Sequence, residues 1–85
     1  LNKKIYILTQ FNEWLWWVAL DDDVKLDDHN LNIARKLVYN SASVFNITKY
    51  VKLLVNSNKI DEANKMLNIL NGLYGKQFKI DDFKK

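Results

Sequence analysis

The stretch from Val44 to Tyr74 reads VFNITKYVKLLVNSNKIDEANKMLNILNGLY, and it decides the fold expected of this 85-residue chain. Its second half predicts a helix over residues 60–74, because apolar side chains recur there every three or four residues. The apolar face consists of Ile60, Ala63, Met66, Leu67, Leu70, Leu73 and Tyr74. Asp61 and Glu62 suit the first turn, where negative charge is stabilising, and Gly75 suits the left-handed conformation that ends many helices.

The first half of the stretch predicts a second helix, over residues 44–56. Its apolar stripe is Val44, Ile47, Tyr50, Val51, Leu54 and Val55. Ser43 is the expected N-cap of this helix, and Asn58 is the expected N-cap of the helix that follows. A turn of only about three residues joins the two helices, so they are expected to pack as an antiparallel hairpin.

Two more helices are predicted before this hairpin. One covers residues 28–40, with Asp27 or Asp28 as its N-cap and a stripe of Leu31, Ala34, Leu37 and Val38. The other covers residues 4–20. We expect this pair to pack on the hairpin of residues 44–74. The charged segment 76–85 is expected to be extended or a frayed final turn, anchored by Phe78, Ile80 and Phe83.

The first helix carries more apolar surface than a single face can hold. Leu8, Phe11, Leu15 and Val18 share one face at helical spacing, and Trp14 lies beside them. Trp16, Trp17 and Leu20 fall outside that face, so this end of the helix is apolar nearly all round. The extra tryptophans can belong to the core, or Trp16, Trp17 and Leu20 can dock on a partner, a preceding segment or a membrane surface.

The composition excludes several classes of protein. There is no cysteine, so the chain has neither disulfides nor thiolate metal sites, and with no proline and two glycines it favours an all-α fold. The net charge of +3 comes from scattered lysines and a single arginine, Arg35, which is unlike a nucleic-acid footprint. No apolar run is long enough to span a membrane. The chain starts at Leu1, so we expect one domain (1–85) cut from a longer protein.

The acidic segment between the first two helices is the first place to look for a metal or catalytic site. Its members are Asp21, Asp22, Asp23, Asp27 and Asp28, followed by His29. The spacing does not fit a calcium-binding loop, because Leu26 stands where glycine is needed and Asn32 where a bidentate glutamate is needed. We therefore expect a solvated loop that ends in a helix cap. No metal site, cofactor site or catalytic residue is predicted, and the chain is not expected to be an enzyme.

Residues 58–67, NKIDEANKML, resemble the turn and second helix of a tetratricopeptide repeat. Ala63 matches the small residue that packs where the two helices of a repeat cross. Leu70 and Gly75 depart from the alanine and proline of the repeat pattern. The resemblance covers about one repeat, and it implies a tetratricopeptide-like arrangement of four helices in two stacked antiparallel hairpins.

A wider resemblance covers most of the chain. It consists of Phe11 and Trp14 in the first helix, the segment YNSAS at residues 39–43 and the turn LLVNSNKIDEA at residues 53–63. In this order, these elements are similar to the C-terminal tail of bacterial membrane glycan polymerases and ligases, which include Wzy-type O-antigen polymerases and protein O-oligosaccharyltransferases. A proline common in such tails is absent here, where Ala42 and Ser43 stand.

The resemblance implies a non-catalytic accessory or interaction domain on the periplasmic side of a bacterial inner membrane. Its partner would be the rest of a membrane enzyme or another protein, and the family's catalytic residues would lie outside this chain. The alternative is a free-standing, cytoplasmic tetratricopeptide-like adaptor that binds a protein or peptide.

Overall fold

The computed structural model describes residues 12–75 and 77–84, and in these residues it contains helices and no strand. Helix α1 covers residues 12–19, and α2 covers Asp28–Asn40. Helix α3 covers Val44–Asn56, α4 covers Ile60–Tyr74, and a short 3-10 helix follows at Ile80–Phe83. The all-α class with four α-helices is confirmed.

The last three α-helices have the bounds that apolar periodicity and capping residues predicted. The first helix was expected over residues 4–20, and its described part is helical over residues 12–19. Residue 20 forms a bend after the helix, and residues 4–11 of that prediction, including Leu8 and Phe11, lie outside the described residues.

Helix α3 is the centre of the fold. Helix α4 packs along it as the second arm of a hairpin, α2 packs against it separately, and the 3-10 helix contacts both α3 and α4. The buried apolar residues are Trp17, Leu31, Ala34, Leu37, Val38, Ile47, Tyr50, Val51, Leu53, Leu54, Ala63, Met66, Leu67, Leu70 and Phe83. Because all of these form one cluster, the described helices share a single core.

Three predicted helix ends are confirmed. The Asp27 carboxylate accepts a hydrogen bond from the backbone N–H of Asn30 at 2.9 Å, so it caps α2. The Ser43 hydroxyl accepts from the backbone N–H of Asn46 at 3.1 Å and caps α3. Gly75 ends α4 with a φ of 63°, in the left-handed region where glycine carries no steric penalty.

The prediction that Asn58 caps α4 is wrong. The N-cap position is Lys59, which makes no side-chain capping bond, and Asn58 has a φ of 61°. Asn58 ends α3 instead. Its N–H donates to the carbonyl of Val55, and the N–H of Lys59 donates to the carbonyl of Leu54 at 2.8 Å, the two bonds of a Schellman motif. Asparagine suits this role because it tolerates the left-handed conformation better than other non-glycine residues.

The C-terminal segment folds back onto the hairpin. Phe83 is buried, while Phe78 and Ile80 are partly buried against the core, so these three residues act as the expected anchors. The Asn71 side chain fixes the segment in this position. Its oxygen accepts a hydrogen bond from the backbone N–H of Phe78 at 2.9 Å, and its amide donates to the backbone carbonyl of Phe78 at 3.0 Å. The segment forms a 3-10 turn at Ile80–Phe83 where an extended or frayed end was expected.

The face of α1 that meets the core is not the predicted one. Trp17 is 0% exposed, whereas Leu15 and Val18 are 52% and 66% exposed. The indole N–H of Trp17 donates to the Asn46 side-chain oxygen at 2.9 Å, and the Lys49 ammonium lies 5.4 Å from the centre of the ring. Turning Trp17 inward buries more apolar area than burying Leu15 or Val18 would, and Asn46 satisfies its polar atom.

We expect Asn46→Ala to destabilise the chain by about 1–3 kcal/mol, because it leaves the buried Trp17 N–H without an acceptor. It also removes the bond that the Asn46 amide donates to the carbonyl of Ser41 at 2.7 Å. Urea unfolding of the chain measures the loss. Asn64→Ala, at an exposed position of α4, is the matched control and is expected to change stability by less than about 0.5 kcal/mol. Equal stability of the two variants would contradict the role given to Asn46.

Candidate functional site

A groove with a volume of about 510 Å³ lies between α2 and α4. Arg35 and Tyr39 line it from α2, and Asn58 and Lys59 line it from the turn before α4. The opposite wall is formed by Asp61, Glu62 and Lys65. These two helices both pack on α3 without packing closely on each other, so their facing side chains leave the space open.

A carboxylate on the α4 wall joins three helices across this groove. Glu62 accepts two hydrogen bonds from Arg35 of α2, at 2.7 Å from Nη2 and 2.9 Å from Nε. It also accepts a hydrogen bond of 2.5 Å from the hydroxyl of Tyr50, on α3. The guanidinium further donates to the Asn32 side-chain oxygen at 2.9 Å. The paired geometry between Arg35 and Glu62 is the bidentate arrangement that gives the strongest ion pairs.

The ionisation of this cluster follows from its geometry. The hydrogen bonds from Arg35 lower the pKa of Glu62 below its ordinary value of 4.5, and Tyr50 contributes in the same direction. Burial raises the pKa of Tyr50, and the neighbouring carboxylate raises it further. The hydrogen bond to Glu62 raises the pKa of Arg35. Each shift moves the pKa of its group further from 7, so at pH 7 Glu62 and Arg35 stay charged and Tyr50 stays a neutral phenol. None of the three is poised for proton transfer.

Sequence reasoning did not identify this cluster. Glu62 was expected only to favour the first turn of its helix, and Tyr50 was expected only as part of an apolar stripe. The one available signal was that Arg35 is the only arginine in the chain. Arginine is the cation best suited to a planar, bidentate pair with a carboxylate.

The three residues predicted to dock on a partner occupy different environments. Trp17 is 0% exposed and lies in the core, which is one of the two roles left open for it. Trp16 is partly buried and lines a second groove of about 240 Å³, together with Asn12, Glu13, Asn30 and Ile33. Leu20 is also partly buried and lines a third groove, beside Phe45. Docking through Trp16, Trp17 and Leu20 stays a prediction.

The acidic segment has structural partners. Asp22 pairs with Lys52 at 3.2 Å, and its carbonyl accepts from the Asn56 amide at 2.9 Å, which ties the segment to α3. Asp28 pairs with Lys59 at 3.3 Å. No group of acidic or histidine side chains in residues 12–75 and 77–84 is arranged to hold a metal ion. A search of the same residues finds no helix with the length and hydropathy needed to cross a bilayer.

The Arg35–Glu62–Tyr50 cluster should make stability depend on acid pH. The pKa of Glu62 is lower in the folded chain, so its stabilisation is present above pH 4.5 and is lost as the pH falls through the folded value. We expect Glu62→Gln to be about 1–2 kcal/mol less stable than the wild type at pH 7. That gap should narrow as the pH falls below 4.5, because the unfolded chain then takes up a proton at Glu62 before the folded chain does.

Urea unfolding of both proteins from pH 7 down to pH 3 measures this gap. Asp61→Asn is the control, because it removes a neighbouring carboxylate that is not part of the cluster. It should not lose about 1–2 kcal/mol of stability at pH 7, and its difference in stability from the wild type should not narrow at low pH. A gap between Glu62→Gln and the wild type that is independent of pH would contradict the assignment.

Comparison with known proteins gives one informative result. No family model matches the chain, and no solved structure matches it. A general O-oligosaccharyltransferase of Acinetobacter baylyi (strain ATCC 33305 / BD413 / ADP1) is 31% identical over 81 residues. The match takes in 95% of this chain but only 14% of that protein. The chain is therefore similar to one short segment of a general O-oligosaccharyltransferase and spans about a seventh of that protein's length.

Proposed function

We propose that this chain is a non-catalytic accessory domain of a glycan-transferring membrane enzyme of the protein O-oligosaccharyltransferase type. The observation that carries the proposal is the 31% identity over nearly the whole chain to a short segment of such an enzyme. A segment that makes up 14% of the relative contributes one part of its structure. The chemistry of transfer is assigned to the remaining part.

The described side chains support a non-catalytic role. General acid–base catalysis needs a group whose pKa lies near the working pH. In the groove between α2 and α4, Glu62 is bound by Arg35 and Tyr50, and Lys59 pairs with Asp28. This arrangement stabilises helices and presents polar groups, and it supplies no activated nucleophile or base.

The finer features of the proposal rest on the resemblance and on the hairpin. Helices α3 and α4 form a helical pair with the fully buried Ala63 on its inner face, as in one tetratricopeptide repeat. We assign the chain to a tetratricopeptide-like tail on the periplasmic side of the membrane, like the tails of Wzy-type polymerases. Its partner is the rest of the same polypeptide, contacted through α1.

We expect deletion of residues 12–84 from the full-length enzyme to lower glycan transfer while leaving the rest of the polypeptide in the membrane. The assay is transfer of the glycan to an acceptor protein, with the amount of enzyme measured in parallel. Asp21→Asn and Asp81→Asn, both outside the groove between α2 and α4, test for hidden acid–base chemistry and should keep transfer at the wild-type level. Two results would overturn the proposal: unchanged transfer after the deletion, or complete loss of transfer in a folded single-carboxylate variant.

The exposed apolar face of α1 is the expected contact with the remaining polypeptide. Leu15 and Val18 lie one turn apart and are more than half exposed, next to the partly exposed Trp16. We expect the double variant Leu15→Ser, Val18→Ser to make the domain more sensitive to limited proteolysis within the full-length enzyme, because less apolar area is covered.

The double variant Ile69→Ser, Leu73→Ser is the matched control for that experiment. It removes two exposed apolar residues one turn apart on α4, so it should keep the wild-type cleavage pattern. Equal sensitivity of the two double variants would argue against docking through α1.

A further inference from the structure

The groove between α2 and α4 combines a single aromatic ring with a wall of polar groups. Tyr39 is 58% exposed, and the other six lining residues, Arg35, Asn58, Lys59, Asp61, Glu62 and Lys65, are polar or charged. An apolar helix or a hydrophobic peptide would leave these polar groups unpaired, which is costly. The groove therefore suits a ligand that is itself mostly polar and has one small apolar face.

The polar groups provide both donors and acceptors. Of the five N–H groups of Arg35, three donate to Glu62 and Asn32, so two remain for a ligand. Lys65 and the Asn58 amide add donors, while the Asp61 carboxylate and the Asn58 carbonyl oxygen add acceptors. A ligand with neighbouring hydroxyl groups, each able to donate and to accept a hydrogen bond, would match this mixture of donors and acceptors.

Most charges of the groove are neutralised by ion pairs, one of them with Asp28, which lies outside the lining. Arg35 is bound to Glu62, and Lys59 is bound to Asp28. Lys65 and Asp61 add one charge of each sign. A phosphate or polyanion would find little net attraction here, whereas an uncharged ligand would meet no repulsion.

We infer that the groove between α2 and α4 is a binding site for a neutral saccharide. One face of a sugar ring packs on Tyr39, and the hydroxyls of the sugar bond to Arg35, Asn58, Asp61 and Lys65. The volume of about 510 Å³ lies within the range of small-ligand sites and has room for one or two sugar rings. The inference rests on the proposed function, since it gives the accessory domain a role in holding the glycan that is transferred.

The test is a titration of the ¹⁵N-labelled chain with a panel of neutral hexoses, N-acetylhexosamines and their short oligomers, followed by amide NMR. Saturable shifts of Asn58, Asp61 and Lys65 are expected for at least one sugar. Tyr39→Ala should weaken that binding about tenfold, the scale of one aromatic contact. Tyr39→Phe keeps the ring and should keep the binding.

Phe45→Ala is the matched control. Phe45 is an aromatic residue of similar exposure, 61%, and it lines a different groove, so its removal should leave the titration unchanged. Urea unfolding of each variant verifies that Tyr39→Ala is folded. If that variant is unfolded, Asn58→Gly, which keeps the left-handed turn and removes the amide, provides the loss-of-binding test in its place.

Three results would overturn the inference. The first is the absence of saturable shifts up to about 50 mM sugar, well above the millimolar local concentration that tethering provides. The second is binding that survives Tyr39→Ala. The third is a response to inorganic phosphate alone that disappears with added salt, which would identify an anion site. In each case, a loss of transfer on deletion of residues 12–84 would leave the accessory role standing, so the two failures are distinguishable.

Discussion

The carboxylate of Glu62 is the point on which the arrangement of α2, α3 and α4 depends. It accepts from Arg35 on α2 and from Tyr50 on α3, while its own backbone belongs to α4. Tyr50 is fully buried, and leaving its hydroxyl without a hydrogen-bond partner would cost about 1–3 kcal/mol. A shift of α4 by one turn along α3 would leave Tyr50 and Arg35 without their partner, so this one group sets the register of three helices.

A second polar link performs the same task for α1. The Trp17 indole donates to Asn46, and Asn46 donates onward to the carbonyl of Ser41, in the break between α2 and α3. Both links start from α3, one at Asn46 and the other at Tyr50. A short chain has a thin core, and apolar burial is not directional, so it gives stability without fixing register. The two polar links have strict geometry and satisfied hydrogen bonds, so they fix the register of the helices, which apolar burial does not do.

The sequence allowed the last three α-helices to be predicted because several local signals agreed. Apolar spacing, the caps Asp27 and Ser43 and the stop at Gly75 all mark the same bounds. Asn58 was assigned to the wrong helix because asparagine serves both as an N-cap and as a left-handed residue, and the choice depends on backbone bonds to α3.

The orientation of α1 could not be read from periodicity, because two of its faces are apolar. The selection between them is made by Asn46, which is 29 residues away from Trp17 along the chain. The groove was missed for the same reason. Arg35 and Glu62 are 27 residues apart, and no spacing rule within one helix links them. The sequence therefore predicted the local roles of these residues, but it did not predict their tertiary partners.

Some residues of the groove hold the helices together and others are available to a ligand. This difference suggests how such a domain could contribute to glycan transfer without a catalytic residue of its own. Glu62 and Tyr50 hold helices together, whereas the Tyr39 side chain lines the groove and makes no hydrogen bond to the residues that the structure describes. Binding can therefore change at Tyr39 without loss of the fold. A site on a domain tethered beside a catalytic centre does not need high affinity. Tethering gives an effective concentration of about a millimolar, so even a weak saccharide site would be substantially occupied and could still release its ligand quickly. A shallow, polar and charge-balanced groove is suited to weak and reversible binding of this kind.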